Sequence, residues 1–174
     1  MQSVELLLDE VAHDAVVRQW QALADAGLPS QARHQGATNA PHVTIGLASS
    51  IEDSAEARLA ATVRALPVPV TIGAPVLFGG ARRVVLVRMV VVTAELLALH
   101  RAVSAALAGC PGRVDQLAVG QWVPHVTLAR RLEAVTVPAA LQALSEAGGD
   151  VLLGRATAMR RWDSDAKQAW TVGA

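Results

Sequence analysis

The tetrapeptide Pro41-His42-Val43-Thr44 recurs in the second half of the chain as Pro124-His125-Val126-Thr127, in a sequence with only 5 histidines and 8 prolines. A chance repeat of such scarce residues is improbable, so the pair signals an internal duplication. An unperturbed imidazole titrates at about pH 6.5, so at neutral pH one histidine can accept a proton while a second, held protonated, donates one. In-line displacement at phosphorus uses that combination, one ring on the entering oxygen and one on the leaving oxygen. Threonine hydroxyls and a cation then steady the non-bridging oxygens. A metal centre fits less well, because two histidines on separate strands lack a third ligand at recognisable spacing and threonine is a poor zinc ligand.

Both motifs read as strands, and alternation decides where their side chains point. Val43, Ile45 and Leu47 share one face of the first, and His42, Thr44 and Gly46 the other. In the second, Val126 and Leu128 face the core while His125, Thr127 and Ala129 face away. Each strand thus offers a base, a hydroxyl and a small residue, the last leaving open space for a ligand. The same parity carries Arg131 toward the site and Arg130 away from it.

The flanks repeat in pattern. A strand at 4–9 and a helix at 10–26, with Val16, Trp20 and Leu23 at helical spacing, lead through an extended piece at 31–36 to the first motif. An Ala-rich helix at 52–66 and a strand at 68–78 follow. After Gly79-Gly80 come a strand at 84–92, a helix from Thr93 as N-cap to Ala108, and a strand near 113–119 before the second motif. A helix begun by Pro138, an extended run at 150–161 and a last strand at 167–172 complete the chain. The order βαββαβ, met twice, predicts an α+β fold. It would hold two ferredoxin-like lobes, about 1–79 and 81–174, related by a pseudo-two-fold with a central cleft. In such a lobe the motif strand is internal.

Paired His-x-Thr motifs about eighty residues apart resemble the 2H phosphoesterase superfamily, and the Pro-His-Val-Thr contexts are similar to its bacterial 2′-5′ RNA ligase-like, cyclic phosphodiesterase branch. The resemblance covers most of the chain. It implies a bilobal fold, no cofactor and metal-independent hydrolysis or transfer at 2′,3′-cyclic or 2′-5′ phosphodiesters. It gives His42 with Thr44, and His125 with Thr127, as the catalytic pairs. It also implies that hydrolysis leaves a 2′-phosphate as the 3′ oxygen departs.

Other residues are candidates for holding substrate. Arg33 and His34 precede the first motif on a piece that can line the cleft, as phosphate clamp and as partner of a base. Arg131 reaches the cleft edge if its strand extends that far. Trp162 and Trp170 flank the turn Asp163-Ser164-Asp165, and either can stack a base. Trp20 reads as core, Trp122 as packed inward or at the strand's beginning, and His100, at helical spacing from Leu96, Val103 and Leu107, as a boundary histidine. The pairs Arg82-Arg83 and Arg160-Arg161 read as exposed loop or edge charge.

Composition narrows the partners. The 174 residues are 52% hydrophobic and 17% charged, with a formal net charge of zero and a mean hydropathy of +0.35. That excludes disorder and an extended basic track for duplex nucleic acid. A small ligand or an RNA end fits such a chain better than a long duplex; with the resemblance this implies RNA ends with a cyclic phosphate, or small cyclic nucleotides, and a monomer is expected. The single cysteine, Cys110, rules out an internal disulfide and reads as a small buried residue. The N-terminus lacks a basic signal-peptide region, and the longest apolar run, 84–92, is interrupted by Arg88 and falls short of the ~20 residues of a membrane helix. A soluble cytoplasmic protein is the expectation. On the residues alone two other readings stay open: a nucleotide- or RNA-end-binding module without turnover, and a structural domain whose repeat is only a folding solution.

Overall fold

The computed structural model describes residues 1–173, and Ala174, the last residue of the second expected half, lies outside them. Asp9 caps the first helix by accepting from the Ala12 amide at 3.0 Å, and Gly27, at φ +74°, lets the chain turn off its other end. Thr93 caps the third in the same way at 3.2 Å, and a proline in the first turn starts the fourth.

Among the described residues the order is β1 (Gln2–Leu8), α1 (Glu10–Asp25), β2 (His42–Ala48), α2 (Asp53–Thr62), β3 (Val68–Gly79) and β4 (Arg83–Val90). Then follow α3 (Ala94–Ala106), β5 (His125–Glu133), α4 (Val137–Glu146), β6 (Leu152–Asp163) and β7 (Gln168–Thr171). The class is α+β, as the sequence predicts. The two extra strands expected near 31–36 and 113–119 are instead 3-10 turns, Gln31–Arg33 and Asp115–Leu117, so each half runs βαβαβ. Side chains curl these segments. Ser30 accepts from the Ala32 amide, Asn39 donates to the Gln31 and His34 carbonyls, and His100 Nε2 bonds the Leu117 carbonyl.

All strand pairs are antiparallel, in the order β2-β1-β6-β3-β4-β5, with β7 beside the end of β6. Each half gives its last strand to the other: β6 pairs with β1, and β3 with β4. The join is the β3–β6 ladder, running from Val68↔Ala156 to Ile72↔Leu152 about Val70↔Gly154. The shift that carries Val68 onto Leu152 carries Ile72 onto Ala156, so it lays β3 on β6 and returns this ladder to itself, as a local two-fold axis requires. Helices pack across the halves too, α1 on α4 and α2 on α3. Their buried faces, with Val16, Leu23, Leu59, Leu96, Leu99 and Leu144, meet the apolar side of the strands.

The motif strands β2 and β5 are the two ends of that order, not internal strands. Yet they lie against one another, so the sheet curls until its ends meet and His42 and His125 share one region. Cys110 is buried and free, and Trp20 is core. No helix among the described residues is long and apolar enough to cross a membrane.

Candidate active site

Alternation alone misplaces part of this site, because each motif strand carries an extra residue. The β1–β2 ladder steps from Val4↔Gly46 to Glu5↔Thr44, and the β4–β5 ladder from Leu86↔Ala129 to Val87↔Thr127. Ile45 and Leu128 are left over, a β-bulge at equivalent points of the two halves. Past it the faces exchange. Gly46 and Ala129 are not open floor for a ligand: Ala129 is buried, and a Cβ on Gly46 would stand 2.6 Å from Leu107 Cδ1. Leu47 takes the site face after the first motif and Arg130 after the second. Arg131 does not reach the site; it is exposed, at φ +58°, in a second irregularity between Leu86↔Ala129 and Val84↔Leu132.

A cavity of about 560 Å³ opens over β2 and β1, with Glu5, His42, Thr44, Leu47, Arg130 and Arg160 in its wall. Of the other sequence candidates, His34 and Trp162 line it, whereas Arg33 does not. His125 and Thr127 stand outside its wall, though Arg130 of the same strand is in it. Gln31, Thr38 and Asn39 supply further polar groups at the loop side. Sequence reasoning missed Glu5, Arg130 and Arg160. Arg160 is no exposed edge charge: its guanidinium donates to Glu5 Oε2 at 2.9 and 2.5 Å and to the Thr38 carbonyl at 2.7 Å. Nor is Arg161, which is buried and paired with Glu56. The signal for Glu5 was available, since a lone carboxylate in the apolar strand Val4–Leu8 wants a partner. Arg130 forms no ion pair among the described residues.

The two histidines are held alike. His42 Nδ1 bonds the Ala40 carbonyl at 2.7 Å, and His125 Nδ1 the Val123 carbonyl at 2.8 Å. A carbonyl only accepts, so Nδ1 carries hydrogen in both rings and Nε2 is left as the atom that takes or gives a proton. Their surroundings differ. His42 Nε2 lies 3.7 Å from Glu5 Oε1, whereas Phe78 meets His125 edge-on with ring centroids 5.0 Å apart. Burial pushes the His125 pKa below its ordinary 6.5, the Val123 carbonyl opposes that, and the charges of Arg130 and His42 add to it.

Edge strands leave carbonyls without a ladder partner, and here two indoles supply the donors. Trp122, just before β5, donates from Nε1 to the Thr44 carbonyl at 3.0 Å, and Trp20, on α1, to the Thr127 carbonyl at 2.9 Å. Each half thus holds the other's motif. His100, fully buried rather than at the boundary of the core, stacks on Trp122 with ring centroids 4.2 Å apart. Among the described residues no group of three or more His, Cys, Asp or Glu is placed to hold a metal ion.

The sequence model of the 2′-5′ RNA ligase superfamily matches residues 9–166. No curated protein matches the sequence. Among solved structures, that of Usb1 from Kluyveromyces marxianus is similar with a TM-score of 0.53 at 11% identity, covering 98% of this chain and 96% of that one. Its form with uridine monophosphate gives 0.51 at 14%, again over 98% and 96%. A crystal structure of a phosphoesterase gives 0.55 at 14%, over 98% of this chain and 92% of that one. At these identities the likeness speaks for the fold.

Proposed function

The chain belongs to the 2′-5′ RNA ligase superfamily, and from that premise we propose that it is a metal-independent phosphodiesterase acting on 2′,3′-cyclic phosphates or 2′-5′ phosphodiesters of RNA ends or small nucleotides. The observation that carries the reading is the matched pair of histidines on facing strands, each with Nδ1 tied to a carbonyl and Nε2 free to exchange a proton. A binder has no use for two such rings in unlike surroundings.

In the reaction, His125 Nε2 takes a proton from water as the water oxygen bonds to phosphorus. His42 Nε2 gives its proton to the ribose 3′ oxygen as the P–O3′ bond breaks, leaving a 2′-phosphate. One water is consumed, and the two rings exchange protons with solvent to reset. A lowered pKa leaves His125 neutral at pH 7, as an acceptor must be. Arg130, a cation of the cavity wall without an ion-pair partner among the described residues, and the hydroxyls of Thr44 and Thr127 hold the non-bridging oxygens as charge gathers on them. The cavity suits a nucleotide rather than a duplex, and the Usb1 structure with uridine monophosphate supports a ligand of that size. Arg33 and Arg131 have no part in the proposal; His34 and Trp162 are the candidates for the base side.

The test is phosphorus NMR of pure protein with 2′,3′-cyclic mononucleotides and a short RNA ending in a cyclic phosphate, with and without exhaustive chelation. Conversion to the 2′-phosphate in both conditions supports the reading. Loss of turnover on chelation, with zinc or manganese restoring it, removes the two-histidine mechanism, and the 3′-phosphate as main product removes the assignment of the leaving oxygen.

A further inference from the structure

The repeat supplies an internal control on its own active site. Glu5 is the cross-strand partner of Thr44 and of Arg160; Val87 is the partner of Thr127 and of Val76. The shift that lays β3 on β6, Val68 onto Leu152, also carries Val76 onto Arg160, so these two are equivalent points of the halves. One His-x-Thr strand is therefore backed by an ion pair, and its twin by two valines. The valines show that this place in the sheet folds without charge. A buried ion pair is itself weak support for stability, and a carboxylate facing a phosphate site is a liability unless it is used. Glu5 is 5% exposed in its side chain and Arg160 12%, and Ser3 Oγ donates to Glu5 Oε1 at 2.7 Å, so the carboxylate is held rigidly with that oxygen 3.7 Å from His42 Nε2.

Resting on the phosphodiesterase reading above, we propose that the Glu5–Arg160 pair makes the two half-sites inequivalent: Glu5 is a positioning residue that holds His42 as the proton donor to the leaving oxygen, while Arg160 cancels its charge toward the phosphate. Glu5 Oε1 attracts the Nε2 proton until the leaving oxygen develops charge and takes it. The charged or titratable groups around His42 are Glu5 from β1, Arg160 from β6, His34 from the loop before β2, and Arg130 and His125 from β5. Only Glu5 among them is an acid. Arg130 and His42 also act on His125, whose other neighbours, Phe78 and the cross-strand partner Met89, are apolar; cationic and apolar surroundings suit an acceptor.

A donor is needed only when the leaving group is poor. Turnover is therefore compared on 2′,3′-cyclic CMP, whose leaving group is a ribose alkoxide, and on a nucleoside p-nitrophenyl phosphodiester, whose aryl oxide departs without a proton. Glu5→Gln should lose about tenfold or more on the first and at least several-fold less on the second, in kcat rather than KM. Because the Gln variant leaves Arg160 without its partner, Glu5→Val combined with Arg160→Val, which copies the second half's own pair, serves as the folded check and should show the same selective loss. Glu5→Asp should restore part of it. Equal losses on both substrates, or none on either, overturn the assignment while leaving the enzyme reading intact. A wild type silent on both substrates overturns the enzyme reading and this assignment with it.

Discussion

At the scale of single residues, the two histidines differ by what faces them. Since His125 must be neutral to accept a proton and burial lowers its pKa from 6.5, the acid limb of kcat/KM against pH should have its midpoint below 6.5. Phe78→Ser, which opens the ring to water, should move that limb upward; a midpoint above 6.5 in the wild type contradicts the assignment. Neighbouring arginines make a second test. Arg130→Met should raise KM about tenfold or more through loss of a charge-assisted contact to phosphate, whereas Arg131→Met should change it little. That His42, Thr44, His125 and Thr127 start two equivalent strands was legible from a repeated tetrapeptide, because that pattern lies within one segment. Arg130 was not, since strict alternation along a pleated strand has no place for a bulge, and the sequence pattern of β5 gives no sign that Leu128 is the extra residue.

At the scale of elements, the motif strands are edges stabilised by indoles from elsewhere in the chain. Trp122→Phe and Trp20→Phe keep the ring but orphan the Thr44 and Thr127 carbonyls, at about 1–3 kcal/mol each by the cost of an unpaired buried acceptor. Thermal unfolding should read that cost, and on the proposed mechanism kcat should fall with it, because the strands the indoles hold carry His42 and His125. A Trp20→Phe variant with unchanged stability and turnover contradicts the role. Helix positions were well legible: caps at Asp9 and Thr93 and the stripe of Val16, Trp20 and Leu23 are signals written within one segment. The two 3-10 turns were not, because the bonds that curl them come from Asn39 and His100, residues 8 and 17 positions away from their partners Gln31 and Leu117.

At the scale of the whole molecule, exchange of β3 and β6 between halves and the meeting of β2 with β5 depend on pairings between distant segments, which a repeated tetrapeptide implies in number but not in partner. We read the halves, about 1–79 and 81–174, as copies of one unit joined at the β3–β6 ladder. One buried histidine, His100, and one half-buried, His125, make its stability sensitive to acid. His100 is lowered by burial, against the Leu117 carbonyl, and His125 likewise by burial, so as pH falls below 6.5 the unfolded chain binds those protons first. Stability present above that pH is lost as pH drops through the lowered values; the melting temperature should decline there, and a melting temperature that rises between pH 6.5 and 5 contradicts it. On the proposed mechanism catalysis makes the sharper demand, since it needs His42 and His125 from strands of both halves. The most direct measurement is kcat on 2′,3′-cyclic CMP for the wild type, His42→Ala, His125→Ala and the double variant. Each single change should cost about a hundred- to ten-thousandfold, and the double much less than the product, because two proton transfers at one phosphorus act as a unit. Losses that multiply, or either single variant keeping wild-type turnover, contradict a shared acid–base pair.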